Sequence, residues 1–223
     1  LGQRVAIAQA DFDEAARVLY PGRSNATWNR YVYTPLQAAM KHSGVMISLK
    51  RPKIPRARYK ALTAEQRDVL IAATDDPRER ALLTTLFLSG PRITEAIMLT
   101  WEDSIDMAKK LICYDVTKTN DPDSWAPMHE HVFIALANIP GERKGRVFGL
   151  KDRHAVRPLI KRIVKTTGIR FSPHVARHTF GDILGETASL RDLMDSLRHA
   201  DAKSSMRYTA RRVYRVRKAI NEL

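Results

Sequence analysis

The sequence predicts a mainly α-helical protein with one small antiparallel β-sheet, organised as two helical units. Three observations carry this reading. Apolar residues recur at three- and four-residue spacing along most of the 223 residues, in segments bounded by Ser, Thr, Asp, Pro or Gly. Strand-like runs crowd into 105–128 and occur nowhere else. A basic stretch with two prolines, 49–60, interrupts the helical pattern, so the chain divides into a small unit 1–48, a linker 49–60 and a larger unit 61–223.

In the first unit, Phe12, Ala15, Ala16 and Leu19 lie on one face of a helix that stops at Pro21-Gly22. Ser24 or Asn25 caps a second helix running through Trp28, Tyr31, Val32, Leu36 and Met40, and Gly44 ends it. Two or three helices make a small core, and a chain that begins with Leu1 reads as a piece of a longer protein. In the second unit, Thr63 and Gln66 form a capping box ahead of Val69, Leu70 and Ile71. Residues 80–89 predict an apolar helix stopped by Gly90, and 92–99 a short one with Ile93, Ala96 and Ile97 inward. Strands are expected at 105–107, 111–116 and 124–128, with a turn at 120–123 that places Lys118 beside it. Helices follow at about 129–137 and 153–167.

The last stretch, 173–208, concentrates reactive side chains. Pro173 suits a first helical turn. On the helix it opens, His174, Arg177 and His178 share a face at i, i+3 and i+4, and Phe180, Ile183 and Leu184 are expected to supply the apolar face. Leu190, Leu193, Met194 and Leu197 form the stripe of a second helix. His199 follows it, and Asp201 caps a short third helix carrying Tyr208. A metal pair at His174 and His178 has no carboxylate or Cys beside it at ligand spacing.

Charge narrows the class of partner. Lys and Arg number 38 against 24 Asp and Glu, a formal net charge of +14. A basic globular protein of this kind points to a polyanion, foremost nucleic acid. The linker residues Arg51, Lys53, Arg56, Arg58 and Lys60 suit an extended segment lying along a phosphate backbone. No run of residues is long and apolar enough to span a membrane, and no secretory leader is recognisable at the start. A single cysteine, Cys113, excludes an intramolecular disulfide and fits a reducing compartment.

Taken in order, these pieces resemble the tyrosine recombinases, the integrase family of site-specific recombinases. SGPRITEAIMLTWEDSI is similar to the family's first arginine box, with Arg92 as the arginine and Glu95 as the following acidic residue. VTKTNDPDSWAPM looks like the strand-turn-strand that carries the catalytic Lys118. HVARHTF matches the HxxR box with His174 and Arg177. LRHAD followed by RY matches the last histidine, His199, and the nucleophile, Tyr208. The likeness covers about 61–223 and extends more weakly to 1–48, which looks like part of a helical core-binding domain. Two positions depart from the pattern. Pro91 stands where an apolar residue is usual, and Arg198 replaces the glycine that usually precedes the last histidine.

The resemblance implies DNA cleavage and rejoining through a 3′-phosphotyrosine. That chemistry asks for these residue types. Arg92 and Arg177 are permanently charged forks suited to phosphoryl oxygens, and His199 donates a further hydrogen bond. Tyr208, with an ordinary pKa of about 10, needs a base or a cationic field, and His174 is the candidate base. Lys118 is the candidate acid for the leaving 5′-hydroxyl. Glu95 and His178 are supports. The implied partners are double-stranded DNA, a homotetramer on paired sites and accessory DNA-bending or directionality proteins. No cofactor or metal is expected, and the implied setting is the cytoplasm and nucleoid of a bacterium or phage host. The tail 210–223, with Val213, Val216 and Ile220 on one face, is expected to dock on a neighbouring protomer. A type IB topoisomerase-like nicking-closing enzyme and a non-catalytic helical DNA-binding protein are the alternatives; aromatic RNA-binding motifs are missing.

Overall fold

The computed structural model describes residues 8–45, 49–55, 61–115, 124–198 and 206. The chain separates into two compact units, 1–58 and 59–223. Among the described residues, ten α-helices and a three-stranded sheet give the expected mainly helical class, and none of those helices is long and apolar enough to cross a membrane.

In the first unit, α1 (Gln9–Leu19) buries Phe12 and Ala16. Ser24 caps α2 (Asn25–Trp28), its hydroxyl accepting from the Thr27 N–H. The helix then runs without a break through a π-helical turn, Asn29–Tyr33, into α3 (Thr34–His42). Val32 and Tyr33 close on Phe12 and Ala16 to form the core. Tyr31 and Leu36, expected on the apolar face, are exposed; the wider π turn shifts the register of the buried face. The described part of the basic stretch, 49–55, is tied to this unit. Lys50 and Gln9 exchange two hydrogen bonds, Asn25 donates to the Lys53 carbonyl (2.9 Å), and Asn29 donates to that of Pro52 (2.9 Å).

The second unit is built around α5 (Pro77–Leu88). Residues Ala81 to Phe87 are all buried, so this helix is apolar on every side and needs neighbours all round. It packs against α4 (Ala64–Ala72), α6 (Ile93–Met98), α7 (Glu130–Ala137) and α9 (Pro173–Leu184). The Thr63–Gln66 capping box opens α4 as expected. Helix α5 begins earlier than expected because Asp76 accepts from the Arg78 and Glu79 N–H groups and Pro77 follows at the first turn. The strands are shorter than expected: β1 (Ile105–Asp106), β2 (Leu111–Cys113) and β3 (Trp125–Pro127), paired antiparallel in the order β1-β2-β3 with Ile112 opposite both Ile105 and Ala126. Helix α8 (Arg157–Thr167) starts at Arg157 and not near 153, with Pro158 in its first turn.

One correction bears on the site. On α9 the buried residues are Ala176, Arg177, His178, Thr179 and Gly181, while Ile183 is exposed. The helix turns Arg177, His178 and Thr179 inward, while His174 in its first turn is exposed. Phe180 and Leu184 remain half-buried, against Leu193 and Leu197 of α10 (Leu190–Leu197).

Gly90, between α5 and α6, holds φ at +59°, and a Cβ there would overlap the Phe180 ring of α9. Gly90→Ala should therefore cost about 2–4 kcal/mol, from the left-handed backbone and the displaced ring together. Chemical denaturation measures it, and a loss under about 1 kcal/mol would show that the α5–α6 corner is not fixed by this contact.

Candidate active site

The site grows from that corner. After Gly90 and buried Pro91, Arg92 takes the N-cap position of α6 in an extended conformation. Three residues on, one turn into the helix, Glu95 reaches back. Its carboxylate accepts from the Arg92 main-chain N–H (2.7 Å) and from the Arg92 guanidinium (2.6 Å). A helix N-terminus favours an anion there, and the reciprocal contact orients the Arg92 side chain, which is half exposed.

Two more guanidinium groups meet the same carboxylate. Arg198 Nη2 donates to Glu95 Oε2 at 3.0 Å, and Arg177 Nη1 lies 3.9 Å from that oxygen. Arg177 is 5% exposed. Its Nη1 donates to the Gly90 carbonyl (2.6 Å) and its Nη2 to the Leu197 carbonyl. One buried cation thus joins the end of α5 and the end of α10 to α9. Burial by itself would raise the Glu95 pKa; Arg198 first, then Arg92, outweigh it and hold the group below the ordinary carboxylate range. The ionic links are therefore present at neutral pH, and their stabilisation is lost only as pH falls through that lowered value.

Arg198 has φ +52° and ψ +47°. This is the left-handed conformation that glycine adopts freely after a helix and that costs another residue about 1 kcal/mol. The guanidinium is held on three sides: by Glu95, by the Ser196 carbonyl (3.0 Å), and over the Tyr114 ring at 4.5 Å.

Arg92, Glu95 and Arg198 line a cleft of about 720 Å³ whose walls also include Tyr114, Asp115 and Ser124, whereas Arg177 lies buried behind Glu95 and is not part of that lining. Asp115 and Ser124 flank, in sequence, the 116–123 segment that joins β2 to β3 and contains Lys118. Arg198 immediately precedes His199. Lys118, His199 and Tyr208 themselves lie outside the described residues, as do Asp201, the expected 120–123 turn and the tail 210–223. Tyr114 is in the cleft wall, but burial pushes its phenol up to about 12, which is the wrong direction for a nucleophile.

His174 is exposed on α9, its ring 4.3 Å from the buried His178 ring in an edge-to-face arrangement. Of the basic residues assigned to DNA, Arg51 and Lys53 are exposed. Arg51 donates to Thr34 Oγ1 (3.2 Å) and to Gln37. Arg56, Arg58 and Lys60 lie outside the described residues. Among the described residues, no three His, Cys, Asp or Glu side chains converge as a metal site would require. What sequence reasoning underweighted is Arg198 as a partner of Glu95 and Tyr114 as its platform. The signal was present: a non-glycine residue at the position following a helix end where glycine is the rule.

A family model described as the phage integrase family matches residues 60–214. The match spans more than half of the chain, and the protein belongs to that family. The tyrosine recombinase XerC of Xanthomonas campestris pv. campestris (strain B100) is 30% identical over 190 residues, covering 76% of this chain and 58% of that protein. XerC of Xanthomonas axonopodis pv. citri (strain 306) is 29% identical, covering 73% and 57%. The tyrosine recombinase XerA of Thermococcus kodakarensis is 28% identical over 215 residues, covering 89% and 75%. The chain thus spans a little over half the length of these XerC relatives. Among solved structures, the Tn1549 transposon integrase in complex with circular intermediate DNA superposes with a TM-score of 0.70 at 18% identity, over 90% of this chain and 81% of that one. A XerA recombinase crystal structure gives 0.58 at 22% identity, over 91% and 78%. At these identities the structural likeness speaks for the fold alone.

Proposed function

We propose that the chain is the DNA-cleaving and rejoining part of a site-specific recombinase of a phage or other mobile element, working through a 3′-phosphotyrosine intermediate on double-stranded DNA. The observation that carries this reading is the convergence, around Glu95, of Arg92, Arg177 and Arg198 beside one open cleft. A phosphodiester attacked by a tyrosine oxygen gathers charge on its phosphoryl oxygens, and preorganised guanidinium groups are suited to meet it. Tyr208 is the nucleophile, His174 its base, and His199 a further donor to the phosphoryl group. Glu95 orients Arg92, and His178 packs against His174. Because the phosphotyrosine keeps the phosphoester energy, no ATP is consumed. Fixed cations take the part that a divalent metal plays in other phosphoryl-transfer sites.

The first unit serves as a core-binding domain, with 49–60 along the DNA backbone, and recombination proceeds in a tetramer on paired sites in the cytoplasm. The net charge of +14 supports the DNA partner. The test is covalent capture of a nicked duplex recovered by binding selection from a random-sequence pool. A denaturation-resistant protein–DNA complex should form in excess EDTA. Its absence, or its dependence on added Mg²⁺, would defeat the proposal.

Lys118 acts on the leaving group in this scheme, and the cleft position of Asp115 and Ser124 on either side of its segment supports that. Lys118→Ala should cleave an ordinary substrate at least ~100-fold more slowly. It should recover near-parent rates on a substrate with a 5′-bridging sulfur, which departs without a proton. Equal impairment on both substrates would reduce Lys118 to a binding residue.

A further inference from the structure

Arg198 occupies a costly conformation, and its contacts are more specific than a solvated helix-end arginine needs. Its φ of +52° lies in the region that favours glycine. Its guanidinium is stacked on the buried Tyr114 ring and bonded to the Glu95 oxygen that also receives the Arg92 main-chain N–H. Its Nε is buried and makes no hydrogen bond within the described residues. The other Glu95 oxygen carries the Arg92 guanidinium. Arg92 and Arg198 therefore hold opposite sides of one carboxylate, and both line the cleft.

We propose that Arg198 is a positioning residue: by pinning Glu95 between itself and Arg92, it fixes the Arg92 guanidinium in the cleft and anchors the end of α10 to the start of α6. The inference rests on the recombinase reading for its consequence in catalysis, but not for its geometry. Without Arg198, Glu95 still accepts from the Arg92 main chain and guanidinium and lies near Arg177, but its Oε2 loses a direct guanidinium donor, and the carboxylate is held less tightly. A mobile Glu95 lets Arg92 sample many rotamers, and a phosphoryl group then meets a loosely held cation in place of a preorganised one. Net charge matters as well. The carboxylate with three guanidinium partners leaves the cluster at +2, whereas removing Arg198 leaves +1 to face a phosphate. Tyr114 supplies the ring face over which the Arg198 guanidinium carbon sits, 4.5 Å from the centroid, a contact lysine reproduces poorly.

Glycine at 198 separates this role from a structural one. Arg198→Gly removes the side chain and also relieves the left-handed backbone, so the melting temperature should stay within about 3 °C of the parent. Two measurements follow. Without DNA, ¹⁵Nε relaxation of Arg92 should show a clear loss of order in Arg198→Gly and an intermediate loss in Arg198→Lys. With the selected nicked duplex at saturating protein, covalent-complex formation should slow by at least ~10-fold in Arg198→Gly, while the half-site Kd changes by less than ~3-fold. In a Glu95→Gln background the Arg198→Gly effect on rate should largely disappear, because both changes release the same clamp. An unchanged Arg92 order overturns the proposal. So does a rate effect that multiplies fully with Glu95→Gln, which would make Arg198 a direct DNA contact. If Arg198→Gly fails to fold, Arg198→Lys carries the same comparisons. If the parent protein forms no covalent complex, the recombinase reading falls while the Arg92 order measurement still decides the role of Arg198.

Discussion

Tyr208→Phe is expected to abolish covalent capture of DNA and to leave half-site binding within about 2-fold of the parent. The nucleophilic oxygen is the one atom whose loss no neighbour can replace, so the expected fall in cleavage exceeds ~10³-fold. Binding depends on the basic residues and barely on a phenol. Three tyrosines compete for the assignment. Tyr114 stands in the cleft wall, but its phenol is buried beneath Arg198 and is harder to ionise than an exposed one. Tyr214 is close in sequence and also flanked by arginine. Tyr208 has the spacing from His199 that the family resemblance requires. Peptide mapping of the trapped adduct chooses among them. An adduct on Tyr214 or Tyr114, or cleavage surviving in Tyr208→Phe, would remove Tyr208 from the mechanism.

Much of the fold was legible because its signals are local. The Thr63–Gln66 box and the stops at Gly44 and Gly90 act within one turn of the backbone they control. Glu95 was readable only as a support, through the family resemblance; that the neighbour it holds is Arg92 comes with the structure. The facing of α9 was not. Apolar spacing pointed to Phe180, Ile183 and Leu184, yet the helix buries Arg177, His178 and Thr179. Periodicity ranks faces by transfer free energy, and it undervalues a polar side chain that finds fixed partners after folding. The Gly90 and Leu197 carbonyls and the Glu95 carboxylate are such partners. They come from three other segments, 87, 20 and 82 residues away along the chain, and no local pattern records them. Ile183 is exposed as the counterpart of that choice. The lengths of β1, β2 and β3 were overestimated because β-propensity continues past the last paired residue, whereas pairing ends where the partner strand ends.

Arg177→Ala is expected to damage activity and stability together, unlike any of the other substitutions. The side chain is 5% exposed, with two main-chain carbonyls and a carboxylate around it. Truncation leaves the Gly90 and Leu197 carbonyls without this donor and opens a void where α5, α9 and α10 meet. Unsatisfied buried acceptors and a cavity of this size cost about 2–4 kcal/mol. Cleavage should fall by ~10³-fold or more, the range that follows removal of a cation facing a phosphoryl transition state. Because unfolding alone would also abolish cleavage, Arg177→Lys is the informative partner. Lysine keeps the charge and much of the volume but can serve only one of the two carbonyls with good geometry, since its donors radiate from a single nitrogen. It should regain at least half of the lost stability and remain ~10²-fold slower than the parent in covalent-complex formation at saturating protein. Denaturation curves and single-turnover rates on the same preparations read both quantities. A lysine variant with parent-like cleavage would show that Arg177 contributes only a positive charge, and that its fork between the two carbonyls matters to the fold and not to the chemistry.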